Sequence, residues 1–314
     1  MERSGGQVGR SEGRTLLTAA DAFGIASLEL RARAVAEGVL AGAHRSRRLG
    51  ASTEFADHKL YAPGDELKRL DWKAYARVDR FYVRRYEEET NLDVYLVVDA
   101  SGSMAYAGGA QGAYRHSKLD YAATLAAAIA WLAGRRSDGV GLSIFAGGEQ
   151  TSLLPSARHA SGAALLRSLE AMTAHGPTAL LDTLEQVGRR LHRNTLIVVF
   201  SDLLEVREEA LDPLAVLRRR GADVILLHTL DRDELEFPFD GVVRFEDMEQ
   251  DRIVQVDAGG VRSAYLDELR AFLERMQRGA HERDLRYCLA PTDDPPAELL
   301  RRALASGPLL GRVT

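Results

Sequence analysis

The sequence predicts an α/β protein: a doubly wound, mostly parallel sheet flanked by helices, preceded by a separate N-terminal segment. From about Leu92 onward, short apolar strand-like runs alternate with stretches of helical period. Several of the helical stretches stop at glycine, as at Gly134 and Gly221, the signature of a left-handed C-cap. The stretch Ser117 to Gly134 is apolar on almost every face, so it is expected to be sandwiched rather than to lie on the surface.

In chain order, residues 1–20 read as an unstructured tail, because Met1 to Arg14 is rich in Gly, Ser, Arg and Glu and has no apolar core of a secretory signal. Residues 21–91 form the N-terminal segment: a helix over Leu28 to Leu40, a basic patch from His44 to Arg48, and a dense run from Glu54 to Glu89. Residues 92–314 form the α/β domain. Its strands are expected at Val94 to Val98, Val140 to Phe145, Leu196 to Phe200, Val224 to Thr229 and Leu285 to Leu289. The helices between them are Ser117 to Gly134, Ser161 to Met172, Leu181 to Leu191, Pro213 to Gly221 and Ser263 to Arg283. Two further pieces, Val242 to Phe245 and Ile253 to Val256, flank the turn-prone Glu246 to Asp251 and suggest a hairpin or an addition to the sheet edge.

Composition narrows the function classes. With 46% hydrophobic residues in 314, the chain can bury a sizeable core, and a net charge of -5 gives no global field favouring nucleic acid or a membrane. A single cysteine, Cys288, excludes an intramolecular disulfide, and the eight histidines form no His-Glu-x-x-His or His-x-His cluster. A cytoplasmic setting and oxygen ligands fit this better than a zinc site. The longest apolar run, Ala122 to Ala133, is well short of the roughly 20 residues a membrane-spanning helix needs.

The run Val94 to Val98 leads directly into Asp99-Ala100-Ser101-Gly102-Ser103, and ligands of open α/β sheets bind at the carboxyl ends of strands. One carboxylate and two hydroxyls alternate here with small residues, so an extended turn can aim all three oxygens into one space. Such hard donors suit magnesium or manganese. Thr178, ahead of the helix at Leu181, and Asp202, after the strand Leu196 to Phe200, occupy comparable loops. Taken alone, the Asp99 to Ser103 loop reads equally well as a helix cap or turn, while Thr178 reads more readily as a helix cap and Ser201-Asp202 as an ordinary strand-ending pair.

Together, Asp99, Ser101, Ser103, Thr178 and Asp202 resemble the metal-ion-dependent adhesion site of von Willebrand factor A (vWA) domains. That resemblance implies a vWA or Rossmann-like fold, a bound Mg2+ or Mn2+, and an acidic residue of a protein partner that completes the coordination sphere. Upstream, Glu54-Phe55-Ala56-Asp57-His58, Tyr61, Pro63-Gly64-Asp65, Asp71-Trp72-Lys73, Ala76-Arg77 and Glu87-Glu88-Glu89 resemble the bacterial DUF58 family. So do Lys118-Leu119-Asp120-Tyr121 and Asp138-Gly139-Val140-Gly141-Leu142. The family resemblance implies that the N-terminal segment packs on the vWA-like domain, and that the companion is a MoxR-type AAA+ ATPase in complex assembly or maturation. Longer family members are membrane-anchored, which makes this chain an expected soluble short form.

Other features have plainer readings. Pro63-Gly64-Asp65 reads as a turn over Trp72 and Tyr75, Cys288 as an inert core thiol, and Arg31, Arg33, His44, Arg45, Arg47 and Arg48 as a solvated basic face. The sequence therefore points to a non-enzymatic interaction module. The alternative is a metal-dependent hydrolase or phosphotransferase using the Asp99 loop, although Ser101 stands where a haloacid-dehalogenase-type phosphatase has its second Asp. A third class, nucleic-acid binding through the basic stretch, predicts steeply salt-dependent affinity that survives chelation.

Overall fold

A computed structural model of the chain describes residues 27–49, 58–60, 75, 81–84, 92–108, 116–191, 194–204, 206–250, 252–305 and 309. Helix α1 spans Leu28–Leu49, and β1 (His58–Leu60) pairs antiparallel with β2 (Tyr82–Arg84). The main domain then runs β3 (Asp93–Asp99), α2 (Lys118–Gly134), β4 (Gly139–Ala146), β5 (Glu149–Ser156), α3 (His159–Glu170), α4 (Leu180–Arg190) and β6 (Thr195–Ser201). It continues with α5 (Asp212–Arg219), β7 (Asp223–Leu230), α6 (Arg232–Glu236), β8 (Val242–Glu246), β9 (Ile253–Asp257), α7 (Ala258–Glu282), β10 (Arg286–Pro291) and α8 (Pro296–Leu304).

Six strands form one sheet in the order β10-β7-β6-β3-β4-β5, parallel throughout except for β5, which runs antiparallel to β4 at the edge. This is the order of a doubly wound sheet, with the winding reversing between β3 and β6. The carboxyl ends of those two strands therefore open onto a crevice, and Asp99 and Asp202 sit there.

Alternation along the strands feeds two cores. Val94, Leu96 and Val98 of β3, with Leu196, Val198 and Phe200 of β6, face α1, α2 and α8. Tyr95 and Val97, with Ile197 and Val199, face α4, α5 and α7. Helix α2 lies between α1 and the sheet, which explains its all-round apolar surface: Tyr121, Leu125, Ala128 and Ile129 are fully buried. Helix α1 contributes Val35, Ala36 and Val39 to that core.

Several expectations need correction. Helix α1 runs on to Leu49, so His44 to Arg48 are helical rather than a patch beyond the helix. Gly134 remains helical; the left-handed residue is Ser137 (φ 61°), where Ser137 N–H bonds Gly134 O and Asp138 N–H bonds Ala133 O to close the helix one turn later. Gly221 (φ 96°) does cap α5 as anticipated. Of the two alternatives for β8 and β9, the hairpin is the one observed: they pair antiparallel in a sheet of their own, separate from the main one among the described residues. Helix α7 starts at Ala258, ahead of the expected Ser263, and β5 and α8 were not anticipated. The quoted residues of the runs Glu54 to Asp57, Tyr61 to Lys73, Ala76 to Arg77 and Glu87 to Glu89, and the tail 1–20, lie outside the described residues. Tyr75 stacks on Phe81 with ring centroids 4.4 Å apart.

Candidate functional site

Register brings the polar strand ends together. Val98 of β3 pairs with Phe200 of β6, so Asp99 and Ser201 follow side by side, and Ser201 in turn pairs with His228 of β7. Asp99 is fully buried and its two oxygens are divided between loops. Oδ1 accepts the Ser101 N–H (2.9 Å), while Oδ2 accepts the hydroxyls of Ser201 (2.7 Å) and Thr178 (3.1 Å). The Ser101 and Ser103 hydroxyls lie 3.3 Å apart on the next turn.

Backbone hydrogen bonds hold the loops in this arrangement. Ala100 N–H donates to Phe145 O (2.8 Å), His175 N–H to Ala100 O (3.0 Å), and Gly102 N–H to Gly176 O (2.8 Å). Gly176, at φ 63°, crosses Gly147 so closely that a Cβ would sit 2.6 Å from the Gly147 Cα. Only glycine permits that approach, which seats Thr178 against Asp99.

Asp202 is placed differently. Its Oδ2 accepts from Lys118 Nζ at 2.7 Å and its Oδ1 from the Leu204 N–H at 3.2 Å. Lys118, fully buried in the first turn of α2, also donates to Glu234 Oε1 at 2.6 Å. Glu234 is fixed by a capping box at the start of α6, where its Oε2 accepts the Asp231 N–H at 2.7 Å. Behind Asp202, His228 Nε2 lies 2.7 Å from the Asp202 carbonyl oxygen and Nδ1 lies 2.7 Å from the Tyr287 hydroxyl. A carbonyl can only accept, so Nε2 carries the proton and Nδ1 accepts from Tyr287.

The electrostatics follow from burial. Burial, and then the neighbouring Asp202, push the Asp99 carboxyl from 3.8 up to about 6, against the hydrogen bonds from Ser201 and Ser101. Burial holds His228 at about 4, so it is neutral. Burial alone would lower Lys118, but the carboxylates of Asp202 and Glu234 outweigh it and keep the ammonium above its ordinary value. Burial leaves Glu234 above its usual range even beside Lys118.

Four of the five sequence-selected residues, Asp99, Ser101, Ser103 and Thr178, thus join directly in one hydrogen-bonded set. Asp202 stands beside it, tied to Lys118. Ser201, Lys118, Glu234 and His228 complete the surroundings. Of these, Ser201 was visible only as the neighbour of Asp202 and Lys118 only as part of a family signature. Among the described residues no group of three or more His, Cys, Asp or Glu side chains could hold a metal ion; the candidate set is mostly hydroxyls. Beside it opens a cavity of about 330 Å³ lined by Ala100, Ile144, Gln150, Thr151, Met172 and His175. Among the described residues no helix is long and apolar enough to cross a membrane.

Uncharacterized proteins of Mycobacterium tuberculosis and Mycobacterium bovis are 29% identical to this chain over 233 residues, covering 73% of it and 71% of their own length. Solved structures with similar architecture include an aerotolerance-related membrane protein from Bacteroides fragilis: TM-score 0.44, 19% identity, 68% of this chain and 99% of that one. BatB from Bacteroides thetaiotaomicron gives a TM-score of 0.43 at 15% identity, covering 68% of this chain and 98% of that one. A von Willebrand factor type A protein from Catenulispora acidiphila gives 0.39 at 17% identity, covering 69% and 42%. Residues 57–274 match the family described as protein of unknown function DUF58. The chain belongs to the DUF58 family.

Proposed function

We propose that this protein is a non-enzymatic, divalent-cation-dependent interaction module, in which the Asp99 loop holds Mg2+ or Mn2+ and the ion captures an acidic residue of a protein partner. The observation that carries this reading is the convergence of Ser101, Thr178 and Ser201 on a buried carboxylate that burial and Asp202 hold short of full ionisation, with the Ser103 hydroxyl beside that of Ser101. Such a carboxylate is poorly neutralised, and a cation relieves it. Within the linked set, the carboxylates of Asp99, Asp202 and Glu234 outnumber the single Lys118 ammonium by a margin that matches a dication.

The donor set fits such an ion. Asp99, Ser101, Ser103 and Thr178 would hold it, and Asp202 would orient a bridging water, since Lys118 and the Leu204 N–H already engage its oxygens. When bound, the ion supplies an electrophilic coordination position for a carboxylate. The residues of this chain do the rest: Gly102 and Gly176 seat the loops, and Lys118 fixes Asp202. His228 cannot serve as a general base, because both of its nitrogens are engaged and it is buried, and this favours binding over hydrolysis. Membership of the DUF58 family favours a MoxR-type AAA+ ATPase as the partner, and the single cysteine, Cys288, fits a cytoplasmic place of work.

Isothermal titration of Mg2+ and Mn2+ into the protein and its Asp99→Ala variant, followed by pull-down of the ATPase with and without chelator, tests the proposal. Metal-dependent capture lost in the variant supports it. Titrations that show no heat with the unaltered protein would reduce the five residues to loop caps. Magnesium-dependent phosphoester turnover abolished by Asp99→Ala would replace the module with an enzyme.

A further inference from the structure

The tip of the β8–β9 hairpin lies across the mouth of the Asp99 loop, although it is 146 residues away in sequence. Glu249 Oε1 accepts the Ser103 N–H at 3.4 Å. The Met248 carbonyl comes so close to Gly102 that any Cβ there would collide with it, and the Glu249 Cγ would lie 3.3 Å from the same Cβ. The tip is itself ordered by hydrogen bonds: Asp247 Oδ1 accepts from the N–H groups of Glu249 (2.8 Å) and Gln250 (3.0 Å), and the Asp247 N–H bonds Arg252 O (2.9 Å). Next to the tip, Phe245 packs against Phe237 and Phe239.

From this geometry we infer that Glu249 is an in-chain carboxylate ligand of the same site, one that a partner's acidic residue must displace. The inference rests on the cation-binding reading above and deepens it. Glu249 is brought to the Ser101–Ser103 turn of the loop that begins at Asp99, so its carboxylate stands at the rim of the proposed ligand set. Glu249 is half-buried at the Ser101–Ser103 turn, the polar rim of the set, so a small side-chain rotation moves its carboxylate from the Ser103 N–H towards the hydroxyls. A tethered carboxylate acts at an effective concentration on the order of millimolar, enough to keep weak external carboxylates out while yielding to a partner with further contacts. The hairpin has room to yield. Its outer residues Val242, Ile253 and Val254 are exposed, and its two strands form a sheet separate from the main one among the described residues.

The test compares Mn2+ binding by the unaltered protein, Glu249→Gln and Asp99→Ala, with affinity read from electron paramagnetic resonance and the number of exchanging waters from water-proton relaxation. Glu249→Gln is isosteric on a surface turn, and an unchanged unfolding temperature verifies its fold. The expected result is that Glu249→Gln binds Mn2+ about tenfold more weakly, shows greater relaxation from an extra exchanging water, and binds a short glutamate-containing peptide more tightly once loaded. If the unaltered protein and Asp99→Ala bind Mn2+ equally or not at all, the cation-binding reading fails and takes this inference with it. If Asp99→Ala alone loses Mn2+ while Glu249→Gln matches the unaltered protein in affinity and relaxation, the role of Glu249 is refuted and the site stands.

Discussion

Asp99→Asn offers the sharpest test of the electrostatics, because its effect should depend on pH in a defined direction. In chelator, the folded protein keeps a proton on Asp99 up to about 6, whereas the unfolded chain releases it near 3.8. Between those values the folded state binds more protons, so this group's contribution to stability falls as pH rises, by about 3 kcal/mol in total. His228 works the other way. Its folded value of about 4 against 6.5 means that the unfolded chain takes up the proton first as pH falls, so stability from this group rises with pH over the same window, again by about 3 kcal/mol. The two slopes nearly cancel in the unaltered protein. Asp99→Asn removes the first and keeps the second, and subtracting one denaturation series from the other cancels every group the two share. Urea unfolding with chelator from about pH 4 to about pH 7 should therefore show the variant gaining about 3 kcal/mol on the unaltered protein across that range. Magnesium at a hundred times its dissociation constant should offset most of that gain near neutrality, adding about 2.7 kcal/mol to the unaltered protein alone. A stability difference that does not change with pH would refute the claim that burial penalises the Asp99 charge.

Lys118→Met should destabilise the protein by about 3–5 kcal/mol, because it leaves the buried carboxylate of Asp202 and the partly buried one of Glu234 without their shared ammonium; a shift in urea midpoint equivalent to less than about 1 kcal/mol would contradict the burial of the Lys118–Asp202 pair. Gly102→Ala should displace the hairpin tip at a cost of about 1–3 kcal/mol, read as faster amide exchange at Met248 and Glu249, and unchanged exchange would mean that the tip does not rest on Gly102. Thr178→Ala should weaken partner capture more than Mn2+ affinity, since a hydroxyl shared with Asp99 mainly tunes the open position, and equal losses in titration and pull-down would count against this.

What could be read from the sequence follows physical range. Strands β3, β6 and β7 are buried on both faces, so their apolar runs are continuous and conspicuous, and the loops at their ends stood out with them. Strand β5 carries Glu149, Gln150, Thr151, Ser152 and Pro155; on an edge, polar residues and a proline are tolerated, and no apolar run marks it. The expectation that Gly134 ends α2 through a left-handed glycine was wrong because the chain closes a further turn and Ser137 adopts that conformation instead. Within the site, Asp99, Ser101 and Ser103 are local and form a motif. The pairing of Lys118 with Asp202 spans 84 residues and that with Glu234 spans 116, so no spacing announces either. Glu234 left only a capping signal, Asp231 followed three residues later by Glu234, which foretells a helix start and nothing of Lys118.

The division of labour between the two aspartates explains why the set contains so many hydroxyls. The sequence treats Asp99 and Asp202 as equivalent ligands, yet only Asp99 is surrounded by hydroxyl donors, while Asp202 is engaged by a buried ammonium. An ion at this loop would meet one directly available carboxylate and a second whose charge Lys118 already shares, so it would keep much of its positive charge. Hydroxyls from Ser101, Ser103 and Thr178 supply oxygen without supplying further charge. A fully acidic cage would neutralise the ion and leave no reason for an external carboxylate to bind. With such an ion bound, Lys118 would do more than satisfy two acids: by holding Asp202 back, it would preserve the attraction that Glu249, or a partner's acidic residue, would answer.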